Sequence, residues 1–295
     1  MKSPAVLRPL KWLVPLIFAL ALLAAGLGLF TPGGGEPYAY TSLRGEQVTI
    51  NNRGLYVYDT VSSAAQMQAN DLVTLVLGLP LLALSAWLTW RGSLRGRLLL
   101  AGTLGFILYT YLSMATSTAF NPLFLVYVAL FSLSLFAFIL TLMSFDLTTL
   151  PRYFGAGTPV RAIAGLLYFT GAFLLMAWVG GRILPPLTQG TPPLLENTTT
   201  MVIQTLDLGL VLPLAWLAAT LLLKKSAWGY LLAAVAVTKM ITMGVAVSTM
   251  GLNMALQGEP DSAVLVGIFM ALTLANLVLA YFLLKNIRPN LPEAA

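Results

Sequence analysis

The chain of 295 residues contains no cysteine and no histidine. Without cysteine it can form no disulfide, thiolate nucleophile or thiolate metal site, and without histidine it lacks the commonest general base and metal ligand. The remaining donor residues show no metal-binding spacing, so the sequence predicts neither a metal nor a cofactor. Most familiar catalytic sites are excluded.

Motifs that bind nucleotides or carry out hydrolysis are missing as well. The chain has no P-loop, no Gly-rich dinucleotide fingerprint, no HExxH and no GxSxG. The basic loops 91–97 and 224–228 are too short to hold a nucleotide-binding domain. An enzyme would need an acid–base site made from Asp71, Asp207 and tyrosines, which the sequence does not favour. No catalytic residue is predicted.

Charged residues are scarce. They make up 9% of the chain, against 58% hydrophobic residues and a mean hydropathy of +0.86. A soluble domain carries about 25% charged residues, so most of this chain must face lipid. The composition therefore indicates an integral membrane protein.

Eight apolar runs are long enough to cross about 30 Å of hydrocarbon as helices. They cover residues 12–30, 71–90, 98–117, 122–145, 161–183, 201–223, 228–250 and 263–284. The predicted fold class is all-α, a polytopic membrane helical bundle of eight transmembrane helices. The first run has an apolar core longer than that of a signal peptide and no A-x-A site after it, so we expect a retained anchor helix.

Basic residues are concentrated in alternate loops. One side of the predicted bundle holds Arg44, Arg53 and Arg182, and the other holds Lys2, Arg8, Lys11, Arg91, Arg95, Arg97, Arg152, Arg161, Lys224, Lys225, Lys285 and Arg288. By the positive-inside rule both termini are predicted to be cytoplasmic, in the cell membrane. The net charge of +6 is thus explained by the bilayer. The expected partners are membrane lipids, and no nucleic acid is expected.

An internal duplication is predicted from the alignment of residues 80–101 with 213–234, in which roughly ten of 22 positions are identical. The informative pairs join a proline, a basic turn, a serine and a glycine, namely Pro80 with Pro213, Arg91 with Lys224, Ser93 with Ser226 and Gly96 with Gly229. The chain is therefore predicted to form two parallel four-helix repeats, 1–150 and 151–295. Because four helices return the chain to the same side, the pseudo-two-fold axis would run along the membrane normal.

Polar residues recur before the two aligned prolines. Asp71 and Thr74 lie nine and six residues before the first, and Gln204 and Asp207 lie at the same distances before the second. Residues three apart share a helix face, and each proline frees a backbone carbonyl one turn earlier. The pattern predicts either a polar vestibule open to the outer side or outer helix ends that hydrogen-bond across the bundle.

Lys239 stands near the middle of the seventh apolar run, where a charge is costly unless it has a partner. The alignment pairs it with Phe106, so only one repeat carries the charge. Asp207 lies about five residues, or about 7 Å, nearer the outer side. We expect the two to interact, directly or through a water or a hydroxyl such as Thr238 or Thr242. A purely structural ion pair is the competing interpretation, and a retinal Schiff base is disfavoured because the lysine is on the penultimate helix.

The segment 31–70 is the only sizeable one outside the predicted helices. "EQVTINNRGLYVYDT" (46–60) predicts a hairpin with Asn and Gly at its bend, and "SSAAQMQAND" predicts a helix capped by Ser62 or Ser63. The second repeat has no counterpart, so the predicted fold carries a small extracytoplasmic hairpin insertion. This segment is either a lid over the vestibule or a layer packed on the outer surface.

Three segments carry a resemblance to other proteins: "YVYDTVSSAAQMQANDLVTLVLGLPLL", "RGSLRG" and "WGYLLAAVAVTK". Together they resemble a group of uncharacterised bacterial multi-pass membrane proteins. The resemblance implies a bacterial cytoplasmic membrane and carries over no activity.

Three functions are compatible with these patterns. The first is the binding or transport of a small solute or ion through an outward-facing polar vestibule, with Asp71, Thr74, Gln204, Asp207 and Lys239 as the binding residues. The second is a non-transporting subunit or sensor that presents the extracytoplasmic loop to a protein partner. The third is a lipid-modifying enzyme. Transport requires water access to the charged pair, a scaffold requires an exposed apolar patch on the hairpin, and an enzyme requires clustered acids open to lipid.

Overall fold

The computed structural model describes residues 4–257 and 262–288. Within these ranges eight helices are long and apolar enough to cross a membrane, which confirms the predicted all-α polytopic bundle. In chain order they are Leu10–Phe30 (α1), Val61–Trp90 (α2), Leu94–Ser117 (α3), Phe124–Met143 (α4), Val160–Thr188 (α5), Val202–Leu223 (α6), Ala227–Leu256 (α7) and Ser262–Lys285 (α8). Short helical turns occur at Pro4–Leu7, Gly54–Tyr56 and Leu150–Tyr153.

The second helix begins well before the apolar run that predicts it. Its first turns include alanines, glutamines and a methionine, which are good helix formers, and Thr60 caps them by accepting a hydrogen bond from the backbone N–H of Ser63. The expected cap at Ser62 or Ser63 is therefore wrong by two or three residues. The helix is longer than the hydrocarbon requires, and residues 31–60, called here the extra-membrane segment, precede its start.

The hairpin is present but lies earlier in the chain than the sequence predicts. Strands Tyr38–Thr41 (β1) and Gln47–Ile50 (β2) pair antiparallel. The bend falls between them, where Gly45 adopts a φ of 81° and the Ser42 side chain accepts a backbone N–H across the turn. The predicted bend within 46–60 was wrong because this earlier glycine turn closes the hairpin.

The Asn and Gly residues expected at the bend of the hairpin form a separate turn after it. Asn52 and Gly54 both adopt positive φ values, 55° and 58°, and turn the chain into the short helix Gly54–Tyr56. This turn buries the side chain of Tyr56 beside α1 and α2. The extra-membrane segment thus supplies a side chain to the interior of the bundle.

One turn of π-helix precedes each of the aligned prolines. It spans Thr74–Gly78 in α2 and Asp207–Val211 in α6. A proline lacks an N–H and its ring crowds the carbonyl four residues earlier, which disturbs the α-helical pattern around it. In both helices the residue before the proline bonds five residues back, Leu79 to Thr74 and Leu212 to Asp207. Polar residues of the predicted site therefore begin both π-helical turns.

The turns that follow α2 and α6 also match under the alignment of the two prolines. Ser93 and Ser226 each accept a hydrogen bond from the backbone N–H three residues later, at the start of α3 and α7. Gly92 and Lys225, one residue earlier, both adopt positive φ, 82° and 53°. These matches support the predicted duplication into 1–150 and 151–295, which remains a prediction.

The two predicted repeats meet where α3 packs against α7. Gly102 permits this approach, because a Cβ there would lie 2.3 Å from the Cβ of Thr238. The first half of α2 packs on α7, and α3 contacts the start of α6. This interface places residues of α3, α6 and α7 next to one another in the middle of the bundle.

Candidate functional site

Asp207 is buried at the first residue of the π-helical turn of α6, with 9% of its surface exposed. Its Oδ1 accepts a hydrogen bond of 2.6 Å from the Tyr109 hydroxyl on α3, and its Oδ2 accepts one of 2.9 Å from Trp178 Nε1 on α5. Trp178 itself lies in a second irregular stretch, the π-helical segment Met176–Ile183. Each carboxylate oxygen therefore has one neutral aromatic donor.

Lys239 contacts the ring face of the same tyrosine. Its Nζ is 4.0 Å from the centroid of the Tyr109 ring, the geometry of a cation–π interaction. The Tyr109 hydroxyl donates to a carboxylate, which makes the ring more electron-rich and strengthens its attraction for the ammonium. Asp207, Tyr109 and Lys239 thus form a continuous array that runs from α6 across α3 to α7.

The expected interaction between Asp207 and Lys239 is indirect. Among the residues that the structure describes, one ion pair joins a cation and a carboxylate within 4.0 Å, and it is Arg53 with Glu36 in the extra-membrane segment. The group between Asp207 and Lys239 is a tyrosine of the first predicted repeat, whereas the sequence suggested Thr238 or Thr242.

Threonine near Lys239 serves the backbone instead. The Thr242 hydroxyl donates 2.9 Å to the Lys239 carbonyl, a bond within one turn of α7. The repeat alignment pairs Tyr109 with Thr242. Because the sequence suggested Thr242 as a bridging hydroxyl, the aligned Tyr109 could have been predicted as the residue between Asp207 and Lys239. Trp178 had no comparable signal, because its role depends on how α5 packs against α6.

Asp71 occupies a separate buried place with 1% of its surface exposed. Its Oδ2 accepts a hydrogen bond of 2.5 Å from the Tyr56 hydroxyl. Gly28 of α1 packs directly on this carboxyl group, since a Cβ at Gly28 would lie 1.9 Å from Oδ2. The hydrogen-bond partners of Asp71 and Asp207 do not overlap.

The remaining predicted residues divide between these two places. Gln204 is half-buried one turn before Asp207 and shares its helix face. Thr74 is buried one turn after Asp71, and its hydroxyl makes no hydrogen bond to the described part of the protein. The structure therefore connects Asp207 to Lys239 through Tyr109, leaves Gln204 one turn from Asp207, and holds Asp71 and Thr74 apart from this array.

The extra-membrane segment lies at the end of the bundle where α2 and α6 begin. It forms hydrogen bonds with the loop between α5 and α6, which belongs to the second half of the chain. The Thr60 hydroxyl bonds to the Glu196 carboxylate, and the Asn197 side chain donates 2.9 Å to the Tyr58 carbonyl. Arg44 of the hairpin turn reaches the Thr199 carbonyl at 3.2 Å. The hairpin segment is thus fastened to the loop between α5 and α6.

Asp59 anchors the base of this segment. It is 2% exposed, and its Oδ1 accepts hydrogen bonds from the Ala119 backbone N–H at 3.1 Å and the Ser63 hydroxyl at 3.2 Å. Burial raises the pKa of Asp59 to about 6, and the negative charge of Glu196 adds to the rise. The fastening of the segment therefore includes a carboxyl group that titrates in mildly acidic solution.

Comparisons with other proteins add no functional assignment to this geometry. No protein-family model, no curated protein and no solved structure matches the chain. The arrangement of Asp207, Tyr109, Trp178 and Lys239 is the feature that bears on function.

Proposed function

We propose that this integral membrane protein binds and transports a small polar solute or ion between its two predicted repeats, at Asp207, Tyr109 and Lys239. The observation that carries the proposal concerns Lys239, which lies within a membrane-spanning helix. Its ammonium group contacts the ring of Tyr109 and forms no ion pair with a carboxylate of the described residues. A lysine at the centre of a span costs about 3 kcal/mol or more. A side chain of this cost, within reach of an acid but not paired with it, is typical of a binding site.

The array favours a ligand with two kinds of polar group. The Lys239 ammonium has three donors, and the Tyr109 ring covers only one side of it. An ionised carboxylate accepts about four hydrogen bonds, and Asp207 receives two from the protein. A small zwitterion or hydroxy acid could place its anionic group at Lys239 and a donor at Asp207. A zwitterionic solute is therefore the ligand class that we test first.

Transport would follow from the way the array joins the two predicted repeats. Tyr109 belongs to the first, and Asp207, Trp178 and Lys239 belong to the second. A ligand that replaced the contacts of Tyr109 would weaken the link between the repeats and bias their relative position. The π-helical turn that begins at Asp207 supports this proposal, because such turns occur often at functional sites. The charge distribution in the loops predicts that the Asp207 end of α6 faces the extracytoplasmic side, so we expect the ligand to enter from that side.

The proposal is tested by ligand-dependent thermal unfolding of the purified protein in detergent. The probes are glycine and alanine as zwitterions, acetate and ethylamine as their single-charge fragments, and sodium chloride as the salt control. A zwitterion at 100 times its Kd should add about 2.7 kcal/mol to the stability of the wild-type protein. Lys239→Met and Asp207→Asn should abolish the shift, whereas Lys224→Met, which removes a basic charge from a loop, should retain it. An equal shift in Lys239→Met would contradict the proposal.

A second function is favoured by the surface of the hairpin. Leu43 at its turn is 87% exposed, and Tyr38, Tyr40 and Tyr58 are exposed around it. Such a patch suits a subunit or sensor that binds a protein partner, and it also suits contact with lipid headgroups. Photocrosslinking from Leu43→Cys in native membranes distinguishes the two. A protein adduct that Tyr58→Ser removes would support a partner, and adducts with lipid alone would contradict it.

The geometry does not favour a lipid-modifying enzyme. That reaction needs clustered acids open to lipid, and Asp71 and Asp207 are both buried with separate hydrogen-bond partners.

A further inference from the structure

A second polar site lies at the opposite end of the bundle from the hairpin. A cleft of about 210 Å³ opens between the turn before α3, the loop after α4 and the end of α8. Its polar lining includes the guanidinium groups of Arg95, Arg97 and Arg288 and one carboxylate, that of Asp146. In the described residues none of the three arginines has a carboxylate within 4.0 Å. Among the described residues, the lining of the cleft therefore carries more positive than negative charge.

Arg97 is the buried member of this group, with 3% of its surface exposed. Its Nη1 donates 3.1 Å to the Ser144 carbonyl at the end of α4, and its guanidinium lies 5.6 Å from the centroid of the Phe145 ring. Its Nε is buried and makes no hydrogen bond to the described part of the protein. A buried charge with an unused donor is costly, so a structural role alone does not account for this side chain.

Arg95 is held at the edge of the cleft by the end of α8. Its Nη2 donates to the carbonyls of Ile287 at 2.7 Å and Lys285 at 3.4 Å. The cleft also receives the start of α3, where Ser93 caps a helix whose first N–H groups have no partner within the helix. Both a fixed guanidinium and a helix N-terminus attract an anion.

The single acid of the cleft does not cancel these charges. The Asp146 carboxylate accepts hydrogen bonds from the Thr148 hydroxyl at 2.7 Å and the Thr148 backbone N–H at 3.1 Å. These bonds lower the pKa of Asp146, so the group stays ionised but is turned toward its own loop. The lining retains a net positive charge.

The aligned positions of the second predicted repeat carry aromatic residues in place of the arginines of the cleft. The repeat alignment pairs Arg95 with Trp228 and Arg97 with Tyr230. Tyr230 stacks on Phe154 with ring centroids 4.4 Å apart and is buried. Both aligned turns carry basic residues, Arg91 and Lys224, which general attraction to a charged membrane surface explains. Arg95 and Arg97 have no basic counterpart at the aligned positions, so they indicate a more specific anion.

We propose that this cleft binds a phosphate group, either the headgroup phosphate of an anionic phospholipid or a small soluble phosphate ester. Arginine guanidinium groups form charge-assisted hydrogen bonds with phosphate oxygens, and Arg97 lines the cleft from a buried, fixed position. The volume suits a phosphate with a glycerol attached and is below the range typical of drug-sized ligands. The cleft is at the end of the helices, where the headgroups of a bilayer lie. The site does not depend on the function proposed for Asp207 and Lys239.

The test measures occupancy by native mass spectrometry of the full chain released from mixed micelles. The lipid probes are phosphatidylglycerol and phosphatidylcholine, and the soluble probe is glycerol 3-phosphate. Wild-type protein should retain phosphatidylglycerol in preference to phosphatidylcholine, and Arg95→Gln should weaken this binding about tenfold, the loss of one charge-assisted pair. Lys224→Gln, an equal change of charge in the aligned loop, should weaken it less than twofold.

The two sources of phosphate give different results. A lipid site keeps phosphatidylglycerol when glycerol 3-phosphate is added in excess, whereas a soluble-ester site releases it and the ester raises the melting temperature in phosphatidylcholine nanodiscs. Equal losses in Arg95→Gln and Lys224→Gln, or no binding of any probe, would overturn the proposal. Arg97→Gln should weaken binding as well. If this variant does not fold, Arg97→Lys keeps the charge, loses the planar guanidinium and should still weaken binding.

Discussion

The charges of Asp207 and Lys239 should be coupled through Tyr109, and a double-mutant cycle measures that coupling. The variants are Lys239→Met, Asp207→Asn and the double mutant. The two charges are more than 4.0 Å apart, because they form no direct ion pair. Tyr109 sets an upper limit on their separation, since its hydroxyl lies 2.6 Å from Asp207 Oδ1 and its ring centroid lies 4.0 Å from Lys239 Nζ. At about 7 Å and an effective dielectric constant of about 20, the attraction is about 2 kcal/mol.

The same interaction energies predict the stability of the two single mutants. Lys239 gains about 2 kcal/mol from Asp207 and about 1 kcal/mol from the Tyr109 ring, which roughly offsets a burial cost of about 3 kcal/mol. Lys239→Met should therefore be nearly as stable as the wild-type protein, or more stable. Asp207→Asn leaves the ammonium without its countercharge and should lose about 2 kcal/mol.

The assay is reversible unfolding in mixed micelles, followed by tryptophan fluorescence, with each variant also made in a Tyr109→Phe background. Tyr109→Phe keeps the ring under Lys239 and removes the hydrogen bond to Asp207. A coupling energy below about 0.5 kcal/mol would refute the reasoning, because the two charges would then be independent. A loss of 3 kcal/mol or more in Lys239→Met would show that the lysine is required for packing.

Three further predictions concern the surroundings of the site. Gly28→Ala, which puts a Cβ 1.9 Å from a carboxylate oxygen, should lower the free energy of unfolding by about 1 to 3 kcal/mol, whereas Gly26→Ala in the same helix has open space and should be neutral or stabilising. Because the folded-state pKa of Asp59 is about 6 and its usual value is 3.8, its contribution to stability decreases as the pH rises through this window. We compare the free energy of unfolding of the wild-type protein with that of Asp59→Asn at each pH. On going from pH 7 to pH 5 this difference should shift by about 1 kcal/mol in favour of the wild-type protein. Lys225→Gly should stabilise the protein by about 1 kcal/mol, because Lys225 has a φ of 53°, and Gly92→Ala at the aligned position should destabilise it by a similar amount.

Each of these predictions has a contradicting result. Equal melting temperatures for Gly28→Ala and Gly26→Ala would mean that α1 can shift away from Asp71. An unchanged pH profile in Asp59→Asn would assign the acid response to other carboxyl groups. A loss of stability in Lys225→Gly would mean that the lysine side chain itself contributes to this turn.

The bundle could be predicted from the sequence because lipid imposes one rule on every span. A run of about 20 apolar residues must satisfy its own backbone hydrogen bonds, so the eight predicted runs correspond to the eight spans found in residues 4–257 and 262–288. The rule does not apply outside the hydrocarbon. There Gly45 closed the hairpin before the expected bend and Thr60 capped α2, because local turn chemistry decides between several plausible glycines and hydroxyls.

The candidate site was only partly predictable for a different reason. Asp207 and Lys239 could be identified because a charge inside an apolar run is rare. Tyr109 and Trp178 resemble any other interfacial or core aromatic residue in the sequence, and only the packing of α3 and α5 against α6 brings them to the carboxylate. The separation of Asp71 from Asp207 likewise depends on helix packing, since the repeat alignment places both residues at similar depth.

Water access to the array is the most direct test of the proposed binding site, and the chain's lack of cysteine makes it clean. Single cysteines are introduced by Gln204→Cys beside Asp207, Tyr58→Cys in the exposed extra-membrane segment and Leu217→Cys on the lipid-facing side of α6. A membrane-impermeant thiol reagent should label Gln204→Cys at a rate between those of the two controls, and a bound ligand should slow it. If Gln204→Cys stays as unreactive as Leu217→Cys under every condition, no aqueous path reaches Asp207 and Lys239, and the proposed binding site is contradicted.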